Sequence, residues 1–272
     1  MSEKPAQAER AEDSEVPEIQ VEAEQLKDAA TTDSDDAIPA HKKVAVIFAH
    51  PDDPDFSCAG TVAKWTAEGH EVVYVILTNG NKGSHDTGMT PERLIELRQE
   101  EQRAAAAVVG VNEVIFLGRE DGMLVADLDL RRDIVRIIRQ LKPTTLVCGD
   151  PTVYWHAPWY INHPDHRAAA QATLEAFYPA AGNHKYFPEL LAEGFEPHMV
   201  KEIYISGSPQ ADMFVDITPY MDLKIESLRK HASQMGDWDP AKEIREWAAK
   251  DGQRANPPIE YAEDFLYFTP AG

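Results

Sequence analysis

The sequence predicts an α/β fold in which a mainly parallel sheet lies between two layers of helices. Two observations carry this. Short, continuous apolar runs rich in β-branched residues alternate with longer segments of helical periodicity. The runs show no polar alternation, as expected of strands covered on both faces. Repeated β–α alternation of this kind builds parallel sheets with right-handed crossovers.

The elements follow in order. Residues 44–49, Val-Ala-Val-Ile-Phe-Ala, read as the first buried strand. A helix is expected over 60–68, closed by Gly69, and a second buried strand over 72–77. Residues 78–89 form a polar loop. Thr90-Pro91 then supplies an N-cap and a first-turn proline for a helix reaching about residue 109. A short strand at 114–117 precedes a helix over 130–141, with Ile134, Ile137, Ile138 and Leu141 on one face, ended by Lys142-Pro143. Residues 145–148 are the next strand, and 151–162 an aromatic loop. A helix over 165–177, strands at 203–205 and 214–217, a helix over 219–231 and an apolar end at 265–268 complete the pattern. The order is that of a Rossmann-like three-layer fold. The G-x-G-x-x-G fingerprint is missing after the first strand, so dinucleotide binding is not indicated.

The chain divides by composition into residues 1–40 and 41–272. The first block holds twelve acidic and three basic residues and no aromatic one, and reads as a disordered acidic tail. The whole chain has 272 residues and a formal net charge of −21, which disfavours nucleic acid and anionic membranes as partners. No apolar stretch approaches the roughly 20 residues of a membrane span, and the N-terminus lacks the apolar core of a secretory signal. Cys58 and Cys148 each sit near the end of an apolar run and read as buried free thiols. That suits a reducing, cytoplasmic setting.

Two clusters carry chemistry. Ala49-His50-Pro51-Asp52-Asp53 directly follows the first strand, and His163-Pro164-Asp165-His166 follows the fourth and its aromatic loop. Both leave the carboxyl edge of a parallel sheet, where such folds bind ligands. Two histidines and a carboxylate with an open position are the usual ligands of a hydrolytic zinc ion, which acidifies its water to a pKa of about 7. His50, Asp53 and His166 fill that set, with Asp52 as general base. Taken singly, each cluster has a plainer reading: Asp-Asp beside proline caps turns, and Asp165 caps the following helix.

Together the clusters resemble the LmbE/PIG-L family of zinc-dependent N-acetylglucosaminyl deacetylases. The likeness runs from about residue 44 to 234. It includes Cys58-Ala59-Gly60-Thr61, Leu77-Thr78-Asn79-Gly80, Arg98 with Glu101, Asp121-Gly122, Lys224 and His231-Ala232-Ser233-Gln234. The resemblance implies one zinc ion per chain, or another divalent metal, on His50, Asp53 and His166, with Asp52 as base. It places His163 and His231 at the reacting centre, one of them as proton donor or oxyanion stabiliser. Asp165 would orient a histidine, and Arg98 and Asp121 would contact sugar hydroxyls. In some relatives the histidine matching His231 reaches from a neighbouring subunit, which would require a homo-oligomer. The implied substrate is a small N-acyl amino sugar or its conjugate.

One departure is Pro54, where the family usually carries an acidic residue; Asp55 offers a carboxylate one position later. Trp155, Trp159 and Tyr160 either stack on a sugar or pin their loop to the core. Three further readings stay open: an amidase for a non-sugar or thiol-conjugate amide, a non-catalytic sugar-binding relative, and an interaction protein that docks a partner through the acidic tail.

Overall fold

The computed structural model describes residues 38–270. The acidic segment, but for its last three residues, lies outside them. The strands are β1 (Lys43–Phe48), β2 (Glu71–Thr78), β3 (Glu113–Arg119), β4 (Thr145–Gly149), β5 (Trp155–Ala157), β6 (Tyr160–Ile161), β7 (Glu202–Ser206), β8 (Met213–Asp216) and β9 (Ala262–Phe268). The α-helices are α1 (Asp53–Ala67), α2 (Pro91–Val108), α3 (Leu128–Leu141), α4 (Pro164–Glu175), α5 (Pro188–Ala192), α6 (Met221–Arg229), α7 (Ala232–Met235) and α8 (Ala241–Arg254).

Seven strands form one sheet in the order β3-β2-β1-β4-β7-β9-β8. The pairings from β3 through β7 are parallel, whereas β9 runs antiparallel to β7 and β8. The expected mainly parallel, three-layer architecture is therefore present. Alternate residues of the strands enter opposite cores. Ala45, Ile47, Val73, Val75, Leu146 and Ile203 face α3 and α4. Val44, Val46, Val72, Tyr74, Val147 and Tyr204 face the α1 layer. The strands read as unbroken apolar runs because both faces are covered.

The order β2-β1-β4 positions the site. From β1 the chain crosses to β2 on one side, while β4 lies on the other. A crevice opens at such a switch point beyond the carboxyl ends of the strands. Cys58 and Cys148 are free and buried, as expected. Among the described residues no helix is long and apolar enough to cross a membrane.

Two elements differ from expectation. Residues 151–162, expected as loop, contain the antiparallel pair β5–β6. Helix α1 begins at Asp53, seven residues before the expected start, because Pro54 lies in its first turn, where a missing N–H costs nothing. The helix is kinked at Cys58 (φ −150°, ψ 16°). The kink frees two backbone donors, and the Glu263 carboxylate accepts both, from Gly60 N at 3.0 Å and Thr61 N at 2.7 Å. Lys224 Nζ neutralises Glu263 at 2.6 Å and donates to Phe56 O at 2.6 Å. Both side chains are buried. Replacing Glu263 with alanine would strand a buried ammonium and two N–H groups. We expect Glu263→Ala to cost about 3–5 kcal/mol of stability, read from urea unfolding midpoints at unchanged slope.

Candidate metal centre

The polypeptide leaves β1 through a tight turn. Asp53 Oδ2 accepts the His50 N–H at 2.8 Å, so the carboxylate folds back over the strand end. Between them Asp52 adopts φ 104° and ψ −31°, a conformation costing a side-chain-bearing residue about 1–3 kcal/mol. Its carbonyl accepts from Asp55 N and Phe56 N, at 2.9 and 3.1 Å, and starts α1. Arg98, buried on α2, donates to Pro51 O at 2.6 Å, Gly80 O at 3.2 Å and Asp52 Oδ2 at 3.2 Å. Burial pushes the Asp52 carboxyl up to about 6, with the Arg98 cation pulling the other way.

The second cluster opens α4 and meets the first. His50 Nδ1 and His166 Nε2 are 3.1 Å apart. Asp53 reaches His166 Nε2 with Oδ1 at 3.1 Å and His50 Nδ1 with Oδ2 at 3.5 Å. Donors at 2.0–2.1 Å from a tetrahedral zinc ion stand about 3.3 Å from one another, so these spacings suit one cation at their centre.

The opposite ring atoms explain why these donors are free. His50 Nε2 lies 3.1 Å from both Asp121 Oδ1 and Asp165 Oδ2. His166 Nδ1 lies 2.9 Å from Asn162 Oδ1. Each imidazole therefore keeps a proton on its outer nitrogen and turns a lone pair inward, as outer carboxylates and amides arrange for metal-binding histidines. Two lone pairs and a carboxylate then face one another with no proton between them, and only a cation relieves that. Burial works to lower the His50 pKa, but Asp121, Asp165 and Asp53 raise it to about 12. Burial opposes the shift at His166 too, and Asp53 still raises it. Conversely, His166 and His50 outweigh burial and hold Asp53 well below the usual carboxylate range.

His50, Asp121 and Asp165 also lie close enough to form a ligand group of their own. Asp165 is committed elsewhere, accepting from Gly122 N at 2.7 Å and Leu124 N at 3.1 Å. Its Oδ2 also stands 3.1 Å from His50 Nε2, the contact by which it would orient that ring. Asp121 was expected at a sugar; it is buried against the same ring nitrogen and accepts Lys82 N at 3.3 Å. Arg98 carries the same expectation, and its guanidinium is likewise directed at protein carbonyls and Asp52.

His163 caps α4, its Nδ1 accepting Asp165 N–H at 3.2 Å, with its ring centroid 4.7 Å from that of His50. Burial and the neighbouring His50 lower its pKa. His231 is wholly buried, with Nε2 3.0 Å from Asp55 Oδ2. Burial alone would lower its pKa, but Asp55 raises it. The ring has no accessible surface, and its hydrogen-bond partner is Asp55 of the same chain. Asp55, the carboxylate one position after Pro54, is buried and directed at Gln102 and His231.

Trp155, Trp159 and Tyr160 are 67, 85 and 48% exposed on the β5–β6 hairpin. That exposure removes the reading in which they pin the loop to the core. Beside the hairpin lies a groove of about 600 Å³, lined among others by Tyr154, Trp155, Ser208 and Arg254; none of the three converging residues lines it. Asn162, which sequence reasoning missed, joins the hairpin to the site. Its N and Nδ2 donate to Tyr154 O and Val153 O, both at 2.8 Å, while Oδ1 holds His166. Its position immediately before His163 was the available signal. Gln102, also missed, accepts Asp52 N–H at 2.8 Å.

A Rossmann-like crevice holding two histidines and an aspartate over a buried carboxylate is an arrangement for metal-assisted hydrolysis. The chain belongs to the PIG-L family, described as GlcNAc-PI de-N-acetylase, whose profile matches residues 45–177. It is 33% identical over 204 residues to the diacetylchitobiose deacetylase of Thermococcus kodakarensis, covering 73% of this chain and 74% of the relative. It is 30% identical over 198 residues to a probable N-acetyl-α-D-glucosaminyl L-malate deacetylase of Bacillus anthracis, covering 71% and 81%. The structure of N,N'-diacetylchitobiose deacetylase from Pyrococcus horikoshii superposes with a TM-score of 0.77 at 28% identity, covering 84% of each chain.

The bond from Asn162 to His166 generates a prediction. Asn162→Ala should weaken zinc binding by about 10–100-fold, measured by competition with a chromophoric chelator.

Proposed function

We propose that this chain hydrolyses the N-acetyl amide of a small amino sugar or its conjugate, with one divalent cation held by His50, Asp53 and His166. The observation carrying the reading is the convergence of His50 Nδ1, His166 Nε2 and the Asp53 carboxylate at 3.1–3.5 Å beside Asp52. Zinc suits two imidazoles and a carboxylate, and iron, manganese or cobalt are compatible with the same donors. When bound, the cation acidifies a water molecule and polarises the amide carbonyl.

The remaining chemistry falls to side chains. Asp52, with its carboxyl at about 6, is largely ionised at neutral pH and still basic enough to accept a proton from water. Arg98 fixes its Oδ2 and limits its rotation. His163 Nδ1 accepts a backbone N–H, so the proton of the neutral ring sits on Nε2. That atom can donate a hydrogen bond to the developing oxyanion, and the proton taken up by Asp52 is the one available to the departing amine. Asp55 favours the protonated form of His231, which would add positive potential from behind. Of the two histidines left open by the sequence, this reading assigns hydrogen-bond donation to His163 and positive potential to His231.

The homologous enzymes act on N-acetylated amino sugars, which supports that substrate class here. The exposed Trp155, Trp159 and Tyr160 offer faces for a sugar. The charge of −21 and the two buried free thiols accord with a cytoplasmic enzyme acting on small molecules.

The test begins with metal content by mass spectrometry. The parent should hold about one metal per chain, and His50→Ala and His166→Ala should lose it. Absence of metal in a chelator-free parent, even after zinc is added, would sink the reading. Asp52→Asn should keep its metal yet release acetate from N-acetylglucosamine or its disaccharide about 10²–10⁴-fold more slowly. Removal of metal by chelation should abolish acetate release, and zinc should restore it.

A further inference from the structure

Helix α2 sends Arg98, Glu101 and Gln102, at i, i+3 and i+4 spacing, into the side of the site away from α4. Arg98 is accounted for by Asp52. The other two make a connection the reaction scheme has not used. Gln102 is completely buried, and both ends of its amide are occupied. Its Oε1 accepts the Asp52 N–H at 2.8 Å, while Nε2 donates to Asp55 Oδ2 at 2.8 Å. The same Asp55 oxygen is 3.0 Å from His231 Nε2. Glu101 accepts Ser233 N–H at 2.7 Å and Ser233 Oγ–H at 2.6 Å, fixing the turn that begins at His231.

We infer that Gln102 is a positioning residue for the reaction: one side-chain amide fixes the peptide of Asp52 and, through Asp55, the ring of His231, so that both keep a common register. The inference rests on the proposed role of Asp52 as base. The amide meets both demands, its carbonyl accepting and its NH2 donating. A carboxylate at 102 could accept from Asp52 N–H but could not donate to Asp55, and it would set two buried acids side by side. An aliphatic side chain would leave the Asp52 N–H and an Asp55 lone pair unmet. The bond also matters because Asp52 sits at φ 104° without being glycine. With its N–H released, the peptide is free to relax toward ordinary dihedrals, carrying the carboxylate away from the Arg98 guanidinium.

The test is a double-mutant cycle. Gln102→Met is made in the parent and in Asp52→Asn, and kcat, KM and metal content are measured. Hydrogen exchange at the Asp52 amide is followed by NMR. In the parent background kcat should fall about 10–100-fold with KM changed less than about twofold, and metal content should stay at the parent's level. In the Asp52→Asn background the further fall should be smaller than in the parent, confined to the share that runs through Asp55 and His231. Protection of the Asp52 amide should drop at least about tenfold. Equal falls in both backgrounds, or unchanged amide protection, would overturn the inference. Should Gln102→Met fail to fold, Gln102→Glu serves in its place. It keeps the acceptor for Asp52, so its amide protection should persist while kcat falls through the lost Asp55 bond; parental kcat in that variant would equally overturn the inference. A parent without turnover on any N-acetyl sugar sinks the deacetylase reading, and the exchange measurement still decides whether Gln102 holds Asp52.

Discussion

His50 can turn Nδ1 toward Asp53 and His166 only because its other nitrogen has somewhere to place a proton. Asp121 and Asp165 provide that place, each 3.1 Å away. Much of the surrounding structure serves this one tautomer. The loop after β3 supplies Asp121 and, through Gly122 N and Leu124 N, holds Asp165. Helix α4 brings Asp165 and His166 on consecutive residues, so orienting group and inner donor share one turn. Asn162 performs for His166 what the carboxylates perform for His50. Three segments far apart in sequence are thus brought to the crevice between β1 and β4.

That concentration of acids would be unfavourable in a site without a cation. Asp52, Asp53, Asp121 and Asp165 crowd around two imidazoles, and burial raises the energy of each ionised form. Arg98 offsets part of this from below, lying 3.2 Å from Asp52 and 3.8 Å from Asp121. The buried Lys224–Glu263 pair is a separate device. It repairs the kink in α1, which lets a helix begin at Asp53 and still pass along the sheet.

The sequence made the central features legible because they are local. Apolar runs mark strands covered on both faces, and His50, Asp53, His166 and Asp52 sit in short clusters just after them. What it hid depends on distant partners. Nothing local marks Gln102 as the acceptor for Asp52 N–H, since glutamine is an ordinary helix former. Arg98 and Asp121 carry a sugar assignment only through the family resemblance; their burial against Asp52 and His50 shows the protein contacts they make. Helix α1 was placed late because Pro54 resembles a loop signal, whereas in a first turn it is an opening signal. The hairpin at 155–161 escaped because two- and three-residue strands carry too little periodicity to see.

Asn162 ties the outer hairpin to the ring of His166. Its backbone and side-chain N–H groups grip the hairpin at Tyr154 and Val153, and its carbonyl oxygen grips the His166 ring. The foot of the aromatic hairpin and that imidazole therefore share one residue as hydrogen-bond partner. A molecule settling on Trp155 or Trp159 at the rim would be felt one residue's length from the reacting centre, through an amide that touches neither the molecule nor the chemistry.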